Sequence, residues 1–253
     1  MSVDLSKKGQ VLTATGLAAG YDGRAIVSGI TVEATPGKVV SIVGPNGSGK
    51  STLLKSLVGV VKVLDGSVKV GDTMITNMAP EGVAKIGVGY VPQIDDVFPP
   101  LSVKENLEIG GYLLKRHEVN ERIDAVLEFF PRLKNMMTRK AGKLSGGERK
   151  MLAMGRVLML SPSVLVLDEP TANLAPIVAT QLLEEYIRGF ADFGSTVLLV
   201  EQRAKAALRI SNWTYVLSGG RVVLDGPPEE LSNNPIFVES FLGGGAATRA
   251  PKD

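Results

Sequence analysis

The sequence lacks cysteine, holds a single histidine (His117) and has few aromatic side chains among its 253 residues. Without cysteine the chain forms no disulfide and offers no thiolate to a metal, which suits a reducing compartment. No apolar run approaches the roughly 20 residues that span a bilayer. The first eight residues also lack the apolar core of a signal peptide. We therefore expect a soluble or membrane-peripheral protein.

The net charge of the chain is also small. The formal net charge is +2, and no concentrated basic stripe runs along the chain, as a dedicated nucleic-acid binder would show. The sequence is 44% hydrophobic, which is enough apolar material for one large α/β domain, or for one domain with a subdomain. Nucleic acid is therefore not expected as a partner.

Short apolar runs alternate with helical patterns over much of the chain. Strands are predicted at residues 39–43, 164–167 and 197–200, and helices at residues 50–58 and 178–190. Such alternation indicates a largely parallel sheet that is covered on both faces. Segments 12–18, 30–34 and 66–70 instead resemble short antiparallel strands near turns. Between about Leu101 and Leu160 the strand signal disappears, and helical patterns such as Val119–Leu127 replace it.

These patterns predict a single α/β domain over residues 1–253, with a mixed or parallel sheet core and an antiparallel β subdomain. The core and the β subdomain are expected at about residues 10–95 and 162–232. An inserted helical subdomain is expected at about residues 96–161. The glycine-rich tail, residues 243–253, is expected to be flexible.

A nine-residue stretch that follows the first predicted buried strand and opens the next helix fits the phosphate-loop pattern G-x-x-x-x-G-K-[ST]. Its glycines allow backbone N–H groups to surround phosphate oxygens, and the helix N-terminus adds partial positive charge. We expect Lys50 to reach the β- and γ-phosphates and Ser51 to ligate Mg²⁺. The alternative is a chance glycine turn, which the flanking strand and helix argue against. The residues of this phosphate loop are Gly44, Pro45, Asn46, Gly47, Ser48, Gly49, Lys50, Ser51 and Thr52.

A second candidate site is the acidic pair Asp168 and Glu169, which follows the apolar run Val164–Leu167. Parallel strands collect their ligand sites at their C-terminal ends. Asp168 is placed to hold Mg²⁺, and Glu169 is placed to orient or deprotonate an attacking water, a division of labour that phosphoryl transfer requires. Alone, this pair would more often be a solvated turn. Together with the phosphate loop it indicates a nucleotide-hydrolysing site.

A third motif is the segment Leu144-Ser145-Gly146-Gly147-Glu148, which we call the signature. Ser145 can cap a helix running through Leu160, with Glu148 at the capping-box spacing. A cap alone does not explain two consecutive glycines, which cost helix stability. With this motif the chain resembles the ATP-binding cassette (ABC) family of P-loop NTPases, over roughly residues 12–242. The resemblance implies that ATP is bound between two ATPase subunits, with the signature of one facing the phosphate loop of the other.

The same resemblance assigns further residues. Tyr21 matches the aromatic residue that stacks on adenine, against the alternative of an ordinary turn tyrosine. Gln93, in Gly89-Tyr90-Val91-Pro92-Gln93, matches the glutamine that contacts Mg²⁺ and water and links the sheet to the helical subdomain. Its alternative is a polar loop residue. Ser145, Gly146 and Gly147 would contact nucleotide held by a partner subunit.

The chain departs from the family pattern at two positions. Ala175 stands where the family usually has an aspartate, so the communication role of that aspartate does not carry over. Gln202 stands where the family has a histidine that contacts the γ-phosphate. Its amide can donate an N–H to phosphate, but it does not titrate near neutrality. We expect Gln202 to act as a phosphate sensor without a proton switch; the alternative is an ordinary residue at a strand end.

These departures are similar to those of one branch, the second ATPase subunit of branched-chain amino acid importers; urea and short-chain amide importers have similar subunits. The resemblance implies a peripheral protein on the cytoplasmic face of the membrane, with a second ATPase subunit, permease subunits and, indirectly, a periplasmic binding protein as partners. The helical subdomain, with residues 93–107, would contact the permeases.

Two alternatives are a soluble cassette protein of ribosomes or DNA repair, and a phosphate-loop kinase or inert nucleotide binder. This chain has neither the second cassette of the ribosome-associated proteins nor the long coiled coil of the repair proteins. The signature and Gln93 argue against a kinase, and Glu169 argues against an inert nucleotide binder.

Overall fold

A computed structural model describes residues 8–94 and 96–238 of the chain. Ten strands form two sheets within these residues. In chain order the strands are β1 (Leu12–Tyr21), β2 (Arg24–Ala34), β3 (Val39–Val43), β4 (Val63–Val70), β5 (Thr73–Met74), β6 (Val88–Val91), β7 (Val164–Asp168), β8 (Thr196–Glu201), β9 (Trp213–Ser218) and β10 (Arg221–Gly226).

Eleven α-helices connect or cover these strands in the described part of the chain. They are α1 (Lys50–Leu57), α2 (Pro80–Ile86), α3 (Val103–Gly110), α4 (Arg116–Phe129), α5 (Pro131–Lys134), α6 (Gly146–Leu158), α7 (Pro176–Gln181), α8 (Arg188–Asp192), α9 (Ala204–Ile210), α10 (Pro228–Asn233) and α11 (Pro235–Phe237). None of the helices in this part of the chain is long and apolar enough to cross a membrane.

The larger sheet has the strand order β10-β9-β3-β8-β7-β6, and all its pairs are parallel except the β9–β10 hairpin at one edge. Every residue of β3, β7 and β8 is buried. Alternate residues of β8 enter two different hydrophobic cores, with Val197 and Leu199 in one and Leu198 and Val200 in the other. Because a strand directs successive side chains to opposite faces, a strand covered on both faces reads as a continuous apolar run. The predicted parallel sheet is confirmed.

The C-terminal ends of the parallel strands lie at one edge of this sheet. The phosphate loop follows β3, Asp168 ends β7, Glu201 ends β8, and Gln93 lies two residues beyond β6. Parallel pairing in register brings these ends together, as the pairs Val43–Glu201 and Asp168–Val200 show. The topology therefore gathers the phosphate loop, the acidic pair, Gln93 and the end of β8, which Gln202 follows, at the edge where α/β proteins bind their ligands.

The smaller sheet is antiparallel, with the order β2-β1-β4-β5, as the sequence predicts for the early segments. Its first strand is longer than predicted and extends to Tyr21. Helix α1 is covered by this sheet, since Leu53, Leu54 and Leu57 share a core with Leu12 and Leu17. The phosphate loop is thus held between the two sheets.

Between Leu101 and Leu160 the described chain forms helices α3 to α6, with one isolated bridge between Ser102 and Lys140 and no other strand pairing. The absence of strands predicted for this region is confirmed, and the predicted helix Val119–Leu127 lies within α4. Helix α6 ends at Leu158 rather than Leu160, because the chain turns towards β7 through Ser161, whose φ is +47°. The subdomain boundaries at residues 96 and 161 stay a prediction.

The segment predicted as one helix over Val178–Phe190 begins earlier, at Pro176, and contains a π-helical stretch at Leu182–Ile187 between α7 and α8. Five aromatic rings meet beside it, and the ring of Phe129 on α4 stacks on that of Phe190 at 4.6 Å between centroids. This contact joins the helical region to the sheet core. The five are Phe129, Phe130, Tyr186, Phe190 and Phe193.

The hairpin of β9 and β10 at the sheet edge was not among the predicted strands. It follows α9 and turns at Gly219 and Gly220, both of which have positive φ. The flexible tail predicted at residues 243–253 lies outside the described residues.

Candidate nucleotide site

The phosphate loop needs glycine at defined positions. Gly49 has a φ of +100°, and a Cβ added there would lie 2.5 Å from Cγ1 of Val27. A Cβ on Gly44 would lie 2.2 Å from the carbonyl oxygen of Leu217. Helix α1 starts directly after Gly49, and no side chain caps its first turn. Its free N–H groups therefore face the loop, which is the arrangement that binds phosphate at a helix N-terminus.

Lys50 is buried and lies across the phosphate loop. Its Nζ donates to the carbonyl oxygens of Gly44, at 2.9 Å, and Pro45, at 3.1 Å. The same Nζ lies 3.6 Å from Oε1 of Glu169. The predicted phosphate ligand and the predicted catalytic carboxylate are thus already neighbours.

Ser51 and Asp168 also meet, although 117 residues separate them. The hydroxyl of Ser51 donates to Oδ1 of Asp168 at 3.1 Å. Burial raises the pKa of Asp168, and the hydrogen bond from Ser51 and the positive charges of Lys55 and Lys50 oppose that rise. A hydroxyl and a carboxylate oxygen side by side suit Mg²⁺, which is commonly held by one or two protein oxygens together with substrate phosphates. The residues present therefore fit the metal that the motif implies.

Tyr90, on β6, is a partner of Asp168 that the sequence analysis missed. Its hydroxyl donates to Oδ2 of Asp168 at 3.4 Å, on the carboxylate oxygen that Ser51 does not occupy. Burial raises the pKa of Tyr90, and the negative charge of Asp168 and the nearby phenol of Tyr21 raise it further. Tyr90 therefore stays protonated and can act as a donor to the carboxylate.

Glu169 has an unusual backbone. Its φ is +45°, a left-handed conformation that residues other than glycine rarely adopt. Its N–H donates to the carbonyl oxygen of Val200 at 2.9 Å, and its Oε2 accepts from Nε2 of Gln93 at 2.9 Å. Two residues that the resemblance singled out, Gln93 and Glu169, are therefore in direct contact.

Gln202 is exposed and follows β8 directly. It lines a cleft of about 310 Å³ together with Gln93, Glu169 and Glu201. Tyr21 lies at the end of β1, with half of its surface exposed. Both side chains are free to meet a ligand at this edge, and their predicted roles stay predictions.

Glu201 was also missed as a site residue. It is almost fully buried, and its Oε1 accepts from the backbone N–H of Thr171 at 3.1 Å and from the hydroxyl of Thr171 at 2.7 Å. Burial raises the pKa of Glu201, the bonds from Thr171 lower it, and the negative charge of Glu169 raises it again. A charged residue that ends an otherwise apolar strand was the available signal.

The signature packs on its own chain. Ser145 caps α6 in a capping box with Glu148, as predicted. A Cβ on Gly147 would lie 2.6 Å from Cγ1 of Val178, and one on Gly146 would lie 2.9 Å from Cδ2 of Leu174. The two glycines therefore let the first turn of α6 approach the segment that follows the acidic site. Among the residues the structure describes, no recorded hydrogen bond joins the signature to the phosphate loop.

Lys150, two residues beyond the signature, anchors the Gln93 loop to α6. Its Nζ donates to the carbonyl oxygen of Gln93 at 2.7 Å and lies 2.7 Å from Oδ2 of Asp96; the side chains of both charged residues are buried. Arg156 donates to the carbonyl oxygen of Asp96 at 2.6 Å and lies over the ring of Phe98. This buried set of charges connects the nucleotide edge with the helical region.

A groove of about 390 Å³ lies between β6 and the helices α2, α3 and α6. Its lining is mainly apolar and includes Val60, Ile109 and Tyr112, which expose 55%, 41% and 58% of their surface. Asp96 and Arg156 also line it. An apolar groove of this kind is typical of a surface that receives another protein.

Comparisons with known proteins agree with this geometry. The sequence pattern of the ABC transporter family matches residues 27–172. The chain is 44% identical to the probable branched-chain amino acid transport ATP-binding protein LivF of Archaeoglobus fulgidus, over 90% of this chain and 96% of that protein. It is 40% identical to the high-affinity branched-chain amino acid transport ATP-binding protein BraG of Pseudomonas aeruginosa, over 85% and 92%. Among solved structures, the ADP conformation of MJ1267, an ATP-binding cassette of an ABC transporter, superposes with a TM-score of 0.83 at 29% identity, over 92% of this chain and 99% of that one.

Proposed function

Since the chain belongs to the ABC transporter family, as an ATP-hydrolysing cassette subunit, we propose that it energises an importer of branched-chain amino acids. The two relatives named for that transport are 44% and 40% identical to it and are matched over nearly their whole length. One observation carries the proposal for the site: Lys50, Ser51, Gln93, Asp168 and Glu169 are joined by hydrogen bonds or ion-pair contacts at a single sheet edge.

ATP binding is assigned to the phosphate loop and α1. The loop N–H groups and the N-terminus of α1 hold the phosphates, Lys50 turns from its backbone partners to the β- and γ-phosphates, and Tyr21 stacks on the adenine. Ser51 and Asp168 would hold Mg²⁺, with Gln93 as a further ligand. The metal, when bound, neutralises charge on the phosphate oxygens.

Hydrolysis is assigned to Glu169. Its carboxylate accepts a proton from a water molecule, whose oxygen attacks the γ-phosphorus, while the bond from that phosphorus to the β–γ bridging oxygen breaks. The products are ADP and phosphate. Gln202 donates its amide N–H to the γ-phosphate, in the place of an imidazole.

A second ATPase subunit is proposed as a partner, in a homodimer or a heterodimer. The exposed residues Ser145 and Gly146 are available to nucleotide held by that subunit. Permease subunits are proposed to dock in the apolar groove beside α3, which would place the chain at the cytoplasmic face of the membrane, with a periplasmic binding protein acting through the permeases. Lys150 connects that groove to Gln93, so a movement of the docked permease reaches the site.

The experiment compares Glu169→Gln with the parent and with Glu184→Gln, an exposed acid that serves as the control. Glu169→Gln should bind ATP but hydrolyse it very slowly, because a neutral amide cannot accept the proton. With ATP and Mg²⁺ it should accumulate as a dimer on size-exclusion chromatography. Lys50→Ala should lose nucleotide binding, whereas Lys62→Ala, at an exposed lysine, should not.

Near-parent turnover of Glu169→Gln would refute its assignment as the base. The importer class is tested separately, by uptake of labelled leucine and labelled urea in cells that carry the chain together with its permease subunits. Leucine uptake that Glu169→Gln abolishes supports the proposed solute class. Uptake of urea alone would assign the chain to the other class of importer.

A further inference from the structure

Glu201 is a buried carboxylate for which the proposed chemistry has no use. It ends β8, retains 1% of its surface, and pairs with Val43 in the neighbouring strand β3. Burying a carboxylate is costly unless it is hydrogen-bonded or paired. Glu201 also lines the cleft that Glu169 and Gln202 share. The free-energy cost of burying the Glu201 carboxylate beside Glu169 and Gln202 indicates that this side chain has a structural role.

Glu201 accepts hydrogen bonds from Thr171, two residues after Glu169, and from the backbone of Arg203. The N–H and the hydroxyl of Thr171 both donate to the same oxygen, Oε1, at 3.1 Å and 2.7 Å. Hydrogen bonds to an ionised acceptor are stronger than bonds between neutral groups. Glu201 therefore fixes both the backbone and the side chain of Thr171.

The segment Glu169–Thr171 is strained at its first residue. Glu169 has a φ of +45°, and a left-handed residue with a side chain persists only where its surroundings over-determine it. Its N–H is held by the carbonyl oxygen of Val200, at 2.9 Å. Two consecutive residues of β8, Val200 and Glu201, thus hold the two ends of the segment Glu169–Thr171.

We infer that Glu201 and Thr171 are positioning residues that hold Glu169 in its strained conformation. Because Gln202 directly follows Glu201, the same pair also sets the spacing between Glu169 and Gln202. The inference rests on the proposed role of Glu169 in ATP hydrolysis. It assigns neither Glu201 nor Thr171 any contact with ATP.

The test uses Thr171→Val, which keeps the shape of the side chain and removes its hydroxyl. The full chain is assayed in the assembled transporter, with the acidic site of any second ATPase subunit silenced. We expect kcat to fall about tenfold or more while KM for ATP changes by less than about twofold, because ATP contacts remain and the base is misplaced. Thr171→Ser, which retains the hydroxyl, should stay within about threefold of the parent kcat.

The matched control is Thr214→Val, the same substitution at a fully buried threonine whose hydroxyl is bonded to that of Ser41. It should leave kcat unchanged. A parent-like kcat for Thr171→Val would overturn the inference, as would an equal loss in Thr214→Val, since either result would leave no specific role for the bond to Glu201. Glu169→Gln, measured alongside, tests the base separately: if it stays active, the proposed function fails, whatever Thr171→Val does.

A second pair of variants applies if Thr171→Val does not fold. In Glu201→Gln the amide oxygen can replace Oε1 and accept both bonds, whereas Glu201→Ala removes the acceptor. The inference requires kcat of the glutamine variant to exceed that of the alanine variant by about fivefold or more. Equal kcat values in these two variants would overturn it.

Discussion

Removing the charge of Lys150 should destabilise the chain far more than removing the charge of an ordinary lysine. Lys150 contributes a buried cation, 2.7 Å from Oδ2 of Asp96 and 2.7 Å from the carbonyl oxygen of Gln93. Lys150→Met keeps an unbranched apolar stem and deletes the ammonium group. Asp96 then remains as a buried carboxylate without its direct partner, and the Gln93 loop loses its bond to α6.

The magnitude follows from these contacts. Removing one partner of a buried ion pair typically costs about 3–5 kcal/mol, because the other charge is left uncompensated. Arg156, which interacts electrostatically with Asp96, compensates part of this loss, so we expect a value near the lower end, about 3 kcal/mol. The double variant Lys150→Met with Asp96→Leu removes both charges and should recover most of that loss, because an apolar pair of similar volume replaces the ion pair.

Urea unfolding of the isolated chain, followed by circular dichroism, measures these free energies. The control is Lys104→Met, which breaks an exposed pair with Glu108 on the same helix and should cost no more than about 0.5 kcal/mol. A loss below about 1 kcal/mol in Lys150→Met, or a double variant that is no more stable than the single one, would refute the reasoning.

Two further predictions concern turnover and docking. With the partner site silenced, Gln202→Ala should lower ATP turnover about 10- to 150-fold, and Gln202→His should retain turnover but add a pH dependence near pH 6–7. Turnover assays between about pH 5 and 8 check both, and a parent-like Gln202→Ala contradicts the phosphate-sensor role. Tyr112→Asp in the groove should abolish copurification with the permeases and leave ATP binding intact. The control is Ile236→Asp, at an exposed residue outside the groove, and persistent copurification of Tyr112→Asp counts against that docking surface.

Much of the fold follows from local patterns. Strands β3, β7 and β8 were predicted to within one residue at each end, because their burial on both faces produces uninterrupted apolar runs. The phosphate loop was recognisable because its glycine spacing reflects backbone conformations that other residues cannot adopt. Asp168 and Glu169 were located because they end such a strand.

The remaining features depend on contacts between distant parts of the chain. Glu201 meets Thr171 across 30 residues, and Lys150 meets the carbonyl oxygen of Gln93 across 57, so no periodicity indicates either pair. The π-helical stretch at Leu182–Ile187 has the same apolar pattern as an α-helix, and its aromatic packing is visible only in three dimensions. The roles of Tyr21, Gln202 and the signature need a nucleotide and a partner, so they stay predictions.

Both carboxylate oxygens of Glu169 have a partner within the chain, since Oε1 lies 3.6 Å from Nζ of Lys50 and Oε2 accepts from Gln93 at 2.9 Å. A base held this way is poorly available to water. To free it, Lys50 must move to phosphate and Gln93 must move with the loop that Lys150 ties to the helical region. In the proposed function, the first movement would respond to ATP and the second to the docked permease. The subunit would therefore hydrolyse ATP slowly unless ATP is bound and the docked permease has also moved the Gln93 loop.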